Sequence, residues 1–145
     1  ILEGVIKRGT GKKLKDLNLD IAGKTGTTNE NTDAWFIGYT SNLVIGVYVG
    51  FDEPKTLGKY ETGSKTALPI FKSFIKNAVK KENVRPFKVA KNVEMMVIDG
   101  KTGKKADFGS AEIIIESFKK NTIEKNILNG NDNFITTKNN ILKFY

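Results

Sequence analysis

Between Asp20 and Asp52 the chain is written three times over in the pattern of a strand, with turn residues between the repeats. Ile21 to Thr28 is short and rich in β-branched and small residues. Ala34 to Thr40 reads Ala-Trp-Phe-Ile-Gly-Tyr-Thr, and Leu43 to Phe51 sets Val44, Gly46, Tyr48 and Gly50 against Leu43, Ile45, Val47, Val49 and Phe51. Thr40-Ser41-Asn42 has the length of a hairpin turn, and Asn29 to Asp33 makes a longer polar connection. Strands this close in sequence pair antiparallel, so a three-stranded meander is expected. Apolar side chains on both sides of the third strand require something to pack on the sheet.

The next segment supplies that cover. Leu68, Phe71, Phe74, Ile75, Ala78 and Val79 fall at helical spacing, and Thr66 or Ser64 is available as a cap, with Pro69 tolerated in the first turn. Lys72, Lys76, Lys80 and Lys81 take the opposite face, which reads as solvated surface, and the helix is expected to run to about Lys81 before Arg85-Pro86 breaks it. Beyond Pro86, Val93 to Ile98 reads as a strand and Asp99 to Gly103 as a turn, while Ala111 to Phe118 fits a short helix or a strand. From Asn121 the chain is dominated by Asn, Lys and Ile without a period, the pattern of a loosely ordered appendage. The expected fold class is therefore α+β: three consecutive antiparallel strands with a C-terminal covering helix. The chain divides into 1–85, a small appended segment 86–120, and an Asn/Lys-rich tail 121–145.

Composition narrows the chemistry. With no His and no Cys among 145 residues, Ser-His-Asp and Cys-His catalysis, the usual zinc sites and every disulfide are excluded, and nucleophilic chemistry has to use Ser or Thr with Lys. No cofactor and no metal is expected. The formal charge of +8 favours acidic partners, but Arg8 and Arg85 are the only arginines, which argues against nucleic-acid recognition. The longest nearly unbroken apolar stretch, Leu43 to Phe51, is far short of the ~20 residues of a membrane span. A start at Ile1 without an initiator Met reads as a piece of something longer.

The sharpest local string is Gly23-Lys24-Thr25-Gly26-Thr27-Thr28. As a phosphate loop it fails, because the Walker pattern needs Gly where Asn18 stands, and Gly100-Lys101-Thr102 fails the same way at Met95. As an edge strand lining a cleft it makes sense: an ammonium and hydroxyls stand beside a glycine that lets a substrate backbone approach. In a regular strand Lys24 and Gly26 point one way, Thr25 and Thr27 the other. Lys-Thr-Gly is the third element of the serine penicillin-recognising enzymes. Around it, Ile21 to Asn29, Asp33-Ala34-Trp35-Phe36-Ile37-Gly38-Tyr39-Thr40, Gly46 to Asp52, Thr62-Gly63 with Ala67-Leu68-Pro69-Ile70-Phe71, and Gly9-Thr10-Gly11 closely resemble the C-terminal half of the transpeptidase domain of class A, bifunctional penicillin-binding proteins. Ile98-Asp99, Thr102-Gly103 and Glu116-Ser117-Phe118-Lys119 look more loosely like the segment that follows it.

The resemblance implies the latter part of a β-lactamase/transpeptidase-like domain, in a parent enzyme with a glycosyltransferase domain upstream. It implies that Lys24 supports proton movement and site electrostatics, that Thr25 and Thr27 supply hydroxyls for the substrate's terminal carboxylate, and that Thr28 lines the same substrate wall. Thr27 would offer its N–H to the oxyanion, and Gly26 would leave room for the peptide. The implied partners are a stem peptide ending in D-Ala-D-Ala and β-lactams. The implied place is the outer side of the inner membrane, reached through an upstream anchor. The family's nucleophilic Ser, in Ser-x-x-Lys, precedes Lys-Thr-Gly, whereas no Ser stands before Lys24, so this chain alone is expected to be inactive. Ser73-Phe74-Ile75-Lys76 and Ser117-Phe118-Lys119-Lys120 spell the motif downstream, in the wrong order. Trp35 and Phe36 read as core fillers on either side of the second strand, and Asp33 as a turn residue. A β-lactamase or carboxypeptidase relative and a basic non-enzymatic binding module are the alternatives.

Overall fold

Two glycines that face each other across adjacent strands make the space into which the core of this protein is built. In the computed structural model, which describes residues 1–120, β1 (Ala22–Thr27), β2 (Ala34–Tyr39) and β3 (Val44–Val49) form an antiparallel sheet in that order. Gly23 pairs with Gly38, which pairs with Ile45, and on the same face Thr25, Phe36 and Val47 form the next row. A Cβ on Gly38 would stand 2.6 Å from Cζ of Phe71 and 2.7 Å from Cε1 of Phe36, and one on Gly23 would stand 2.9 Å from Phe36 Cζ. The space over Gly23 is taken by Phe36, and that over Gly38 by Phe36 together with Phe71 of helix α2 (Ala67–Ala78), whose ring meets Phe36 edge-on at 4.7 Å between centroids. Both rings are fully buried, together with Leu68 and Ile75.

This arrangement bears out the α+β expectation: three consecutive strands with a covering helix, α2 lying on β2 and β3. A short helix α1 (Leu2–Lys7) packs against β1 and buries Ile6, and the 3-10 turn Lys12–Leu17 buries Leu14. An exposed ion pair, Lys72 Nζ to Asp16 Oδ2 at 2.7 Å, joins that turn to α2. Its lysine holds the Asp16 carboxyl below the usual range.

Several details differ from the sequence reading. Helix α2 stops at Ala78, where Val79 turns extended, so the expected last turn to Lys81 is instead a separate 3-10 turn, Lys81–Asn83. Phe74 and Ala78 are exposed, because the buried stripe narrows to Ala67, Leu68, Phe71 and Ile75, the positions that meet the sheet. Thr66 occupies the N-cap position without capping: its hydroxyl donates to the Thr62 carbonyl at 2.6 Å, and Ser64 bonds Thr62 instead. Trp35 is not a core filler. It lies on the outer face with Tyr48, 41% exposed, since the core side of β2 belongs to Ala34, Phe36 and Gly38.

The described residues fall into two compact units, 1–87 and 88–120. Among the described residues the second is a hairpin of β4 (Val93–Asp99) and β5 (Ile113–Lys119), so the ambiguous stretch 111–118 resolves as a strand. Asp99 ends β4 and accepts the N–H groups of Lys101 (2.9 Å) and Thr102 (2.8 Å) at one oxygen, which turns the chain and holds its carboxyl below the usual range, the Thr102 bond being the main cause. The tail 121–145 lies outside the described residues.

The ring pair and the Asp99 turn can each be tested. Gly38→Ala overpacks the rings and should destabilise by about 1–3 kcal/mol, while Phe71→Ala empties the gap at about 3–5 kcal/mol. Gly38→Ala combined with Phe71→Leu should recover part of the loss, and additive losses in denaturant melts would contradict the account. Asp99, with its folded pKa depressed, contributes stability that is present above the ordinary aspartate value near 3.9 and lost as pH falls through the lower folded value. Amide exchange at Lys101 and Thr102 should accelerate over that window, and Asp99→Ala should remove the acid dependence.

Candidate functional site

β1 is an edge strand. Among the described residues it pairs only with β2, so backbone groups on its far side have no strand partner. The register divides its side chains as the period of a strand demands. Lys24 pairs with Ile37, and Gly26 with Trp35, on the outer face; Thr25 pairs with Phe36, and Thr27 with Ala34, on the core face. On the outer face a Cβ at Gly26 would meet only Trp35, at 3.2 Å from its Cβ, so the ground beside Gly26 is open apart from that ring.

The strand's polar groups are not equivalent. Lys24 is exposed, and its ammonium folds back to donate to the Thr25 carbonyl at 2.8 Å. The hydroxyl of Thr25 bonds that of Thr10, from the loop after α1, at 2.9 Å. Thr27 accepts a hydrogen bond from the Gly63 N–H at 3.1 Å, so its own proton is directed elsewhere. Thr28 is consumed by the loop. Its hydroxyl accepts from the Asp33 N–H at 2.8 Å and lies 2.8 Å from the Thr32 hydroxyl, while its N–H donates to the Asp33 carbonyl at 3.1 Å.

That loop is braced from two sides. Asp33 accepts the Tyr48 phenol at 2.8 Å, which raises the Tyr48 pKa. Asn31, held at a left-handed φ of 53°, donates to the carbonyls of Gly58 (3.2 Å) and Lys59 (3.0 Å), and its own carbonyl accepts the Leu57 N–H at 2.8 Å. The structure thus brings Lys24, Thr25, Gly26 and Thr27 to one strand edge and commits the Thr28 side chain to closing the hairpin. Thr10, Asn31 and Gly63 are the participants that reasoning from local pattern did not single out for a role. Their partners lie 15 or more residues away in sequence, and only the strings Gly9-Thr10-Gly11 and Thr62-Gly63 hinted at them. Ser73 and Ser117 are exposed, on α2 and on β5, and neither belongs to β1 or to its hydrogen bonds.

With this geometry in view, comparison with known proteins decides the family. The family described as penicillin binding protein transpeptidase domain matches residues 1–76, from α1 into α2. The chain belongs to that family. Its relatives include the penicillin-binding protein 1A of Rickettsia conorii, 46% identical over 123 residues that cover 85% of this chain and 15% of that protein. Penicillin-binding protein 1A of Pseudomonas aeruginosa is 42% identical over 120 residues, 82% of this chain and 15% of that one. The crystal structure of penicillin-binding protein 1A from Haemophilus influenzae matches with a TM-score of 0.72 at 33% identity, over 83% of this chain and 19% of that one. The chain therefore spans about 15% of the length of these curated relatives. A transpeptidase family member is not a free-standing basic binding module, and that alternative is not favoured. No helix among the described residues is long and apolar enough to cross a membrane.

The Tyr48 brace has a measurable sign. Its folded pKa is raised, so the hydrogen bond stabilises below the ordinary tyrosine value near 10 and is lost as pH rises through the folded value. Asp33→Ala should bring Tyr48 back toward that value in a carbon-13 tyrosine titration, leaving the other tyrosines in place; an unmoved Tyr48 would refute the brace.

Proposed function

We propose that β1 is the substrate-side wall of a serine D,D-transpeptidase that cross-links peptidoglycan. In this reading Lys24, Thr25, Gly26 and Thr27 face the D-Ala-D-Ala end of a stem peptide, or a β-lactam in its place, and Thr28 holds the end of the strand. The observation that supports it most is the Thr27 hydroxyl: it accepts the Gly63 N–H and has its own proton left to donate to a ligand beside an open strand edge. The exposed ammonium of Lys24 adds positive charge on the same strand, suited to a substrate that ends in a carboxylate.

The chemistry follows the family. A serine from elsewhere in the longer protein gives up its proton to a neighbouring base and attacks the carbonyl carbon of the penultimate D-Ala. The tetrahedral adduct collapses, the bond to the terminal D-Ala nitrogen breaks, and that amine leaves with a proton. The acyl group then passes to an amine of a second stem, which regenerates the serine. The Thr27 N–H supplies one oxyanion donor at the attacked carbonyl. Lys24, a fixed cation, disfavours protonation of a second amine nearby, which keeps that amine basic. To do so Lys24 exchanges its bond to the Thr25 carbonyl for the reacting groups. We further propose that residues 1–85 are the transpeptidase portion and 86–120 a small appended unit, with the protein working outside the cytoplasmic membrane on an upstream anchor.

In the full-length protein, Lys24→Ala should lower the penicillin acylation rate more than initial binding. Thr27→Ala, which keeps the backbone donor, should cost about 1–3 kcal/mol. Gly26→Val should block both binding and acylation, with a lowered melt as well because its Cβ would stand 3.2 Å from Trp35 Cβ. Ser73→Ala and Ser117→Ala should acylate like wild type. Undiminished acylation by Lys24→Ala would remove β1 from the active-site wall.

A further inference from the structure

The residue that decides what Thr27 can offer a ligand lies 36 positions downstream. A threonine hydroxyl can both donate and accept, so a free rotor does not by itself distinguish an anion from a neutral ligand. Here the rotor is biased. The Gly63 N–H donates to Thr27 Oγ1 at 3.1 Å, and no described residue accepts the Thr27 proton. The backbone donor takes one of the oxygen's two lone pairs and turns the proton away from Gly63, and for that proton a charged carboxylate oxygen is a better acceptor than the neutral oxygens of an ester.

Gly63 can do this only because it has no side chain. The residue is buried on the core side of the sheet, and a Cβ there would collide with the Trp35 carbonyl oxygen and stand 2.6 Å from the Gly26 carbonyl oxygen and 3.2 Å from the Gly26 nitrogen. Those atoms belong to the paired backbones of β1 and β2, which have little freedom to give way. The turn carrying Gly63 is itself fixed. The N–H groups of Lys65 and Thr66 both donate to the Thr62 carbonyl, at 2.8 and 2.9 Å, and the Leu68 N–H donates to the Gly63 carbonyl at 2.8 Å. The start of α2 is thus bolted to the turn that aims Thr27.

We propose that Gly63 is a positioning residue for carboxylate selectivity: it seats its N–H under Thr27 and so turns the Thr27 hydroxyl proton toward the carboxylate of the substrate. The proposal rests on the transpeptidase reading of β1. It assigns to Gly63 no contact with substrate; its effect passes through Thr27.

The test compares acylation of the full-length protein by a penicillin and by the methyl ester of the same penicillin. Wild type should prefer the free acid. Thr27→Val should lower that preference by about 10- to 100-fold, the worth of a hydrogen bond to a charged group, and Thr27→Ser should retain it. Gly63→Ala should lower the preference in the wild-type background and have no further effect on it in the Thr27→Val background. Should Gly63→Ala slow both compounds equally and leave their ratio intact, Gly63 is only structural and the proposal is overturned. A ratio indifferent to Thr27→Val would overturn it at an earlier point, because Thr27 then has no carboxylate partner and the reading of the site itself fails. Hydrogen–deuterium exchange covers the case in which Gly63→Ala does not fold: the Gly63 amide should lose protection in Thr27→Val and keep it in Thr27→Ser, and unchanged protection in Thr27→Val would refute the contact.

Discussion

Everything in the first unit depends on one ring entering one gap. Phe71 reaches the sheet over Gly38, beside the room that Gly23 leaves for Phe36, and its edge-on contact with Phe36 fixes how α2 lies across β2 and β3. Close packing makes that fit demanding, because a single added methyl at Gly38 would have to displace two rings at once. The same fit sets the start of α2, and with it the turn Thr62 to Thr66 that approaches the backbones of Gly26 and Trp35. Core packing and site geometry are consequently one problem here: what anchors the helix also aims the threonine.

The candidate site owes its character to how unevenly its hydroxyls are used. Thr25, Thr27 and Thr28 follow one another almost directly in sequence, but they meet three different partners from three different loops. Thr25 is tied to Thr10, Thr28 is spent on closing the hairpin, and Thr27, which accepts the Gly63 N–H, keeps a proton to give. Lys24 rests on its own strand. Such a wall is preorganised in its backbone and hydroxyls and adjustable in its charge, which suits the carboxylate-orienting role proposed for it.

Much of this was legible beforehand, for physical reasons that can be named. Alternation in Leu43 to Phe51 and the short turns around it are local signals, and they specified the meander; the stripe at Leu68, Phe71 and Ile75 specified the cover. What stayed hidden was decided between distant segments. Phe74 has the right period for the buried stripe and still faces outward, because a helix on a narrow sheet buries fewer positions than its pattern allows. Trp35 looks like core on composition but stands opposite Tyr48 on the outer face, since Phe36 and the two glycines had claimed the inner one. Gly63 carried no local sign of its contact with Thr27, and no periodicity could have revealed it.

The order of the elements along the chain also has a consequence during synthesis. A ribosome delivers β1, β2 and β3 before any residue of α2, so the meander can pair while its core face is still bare. The stretch from Gly50 to Thr66 and the first turn of the helix must be made before Phe71 arrives, at about 5–20 residues per second a delay of roughly one to several seconds. During that interval Gly38, Ile45 and Val47 lack their cover, and the open sheet is exposed to pairing with another chain.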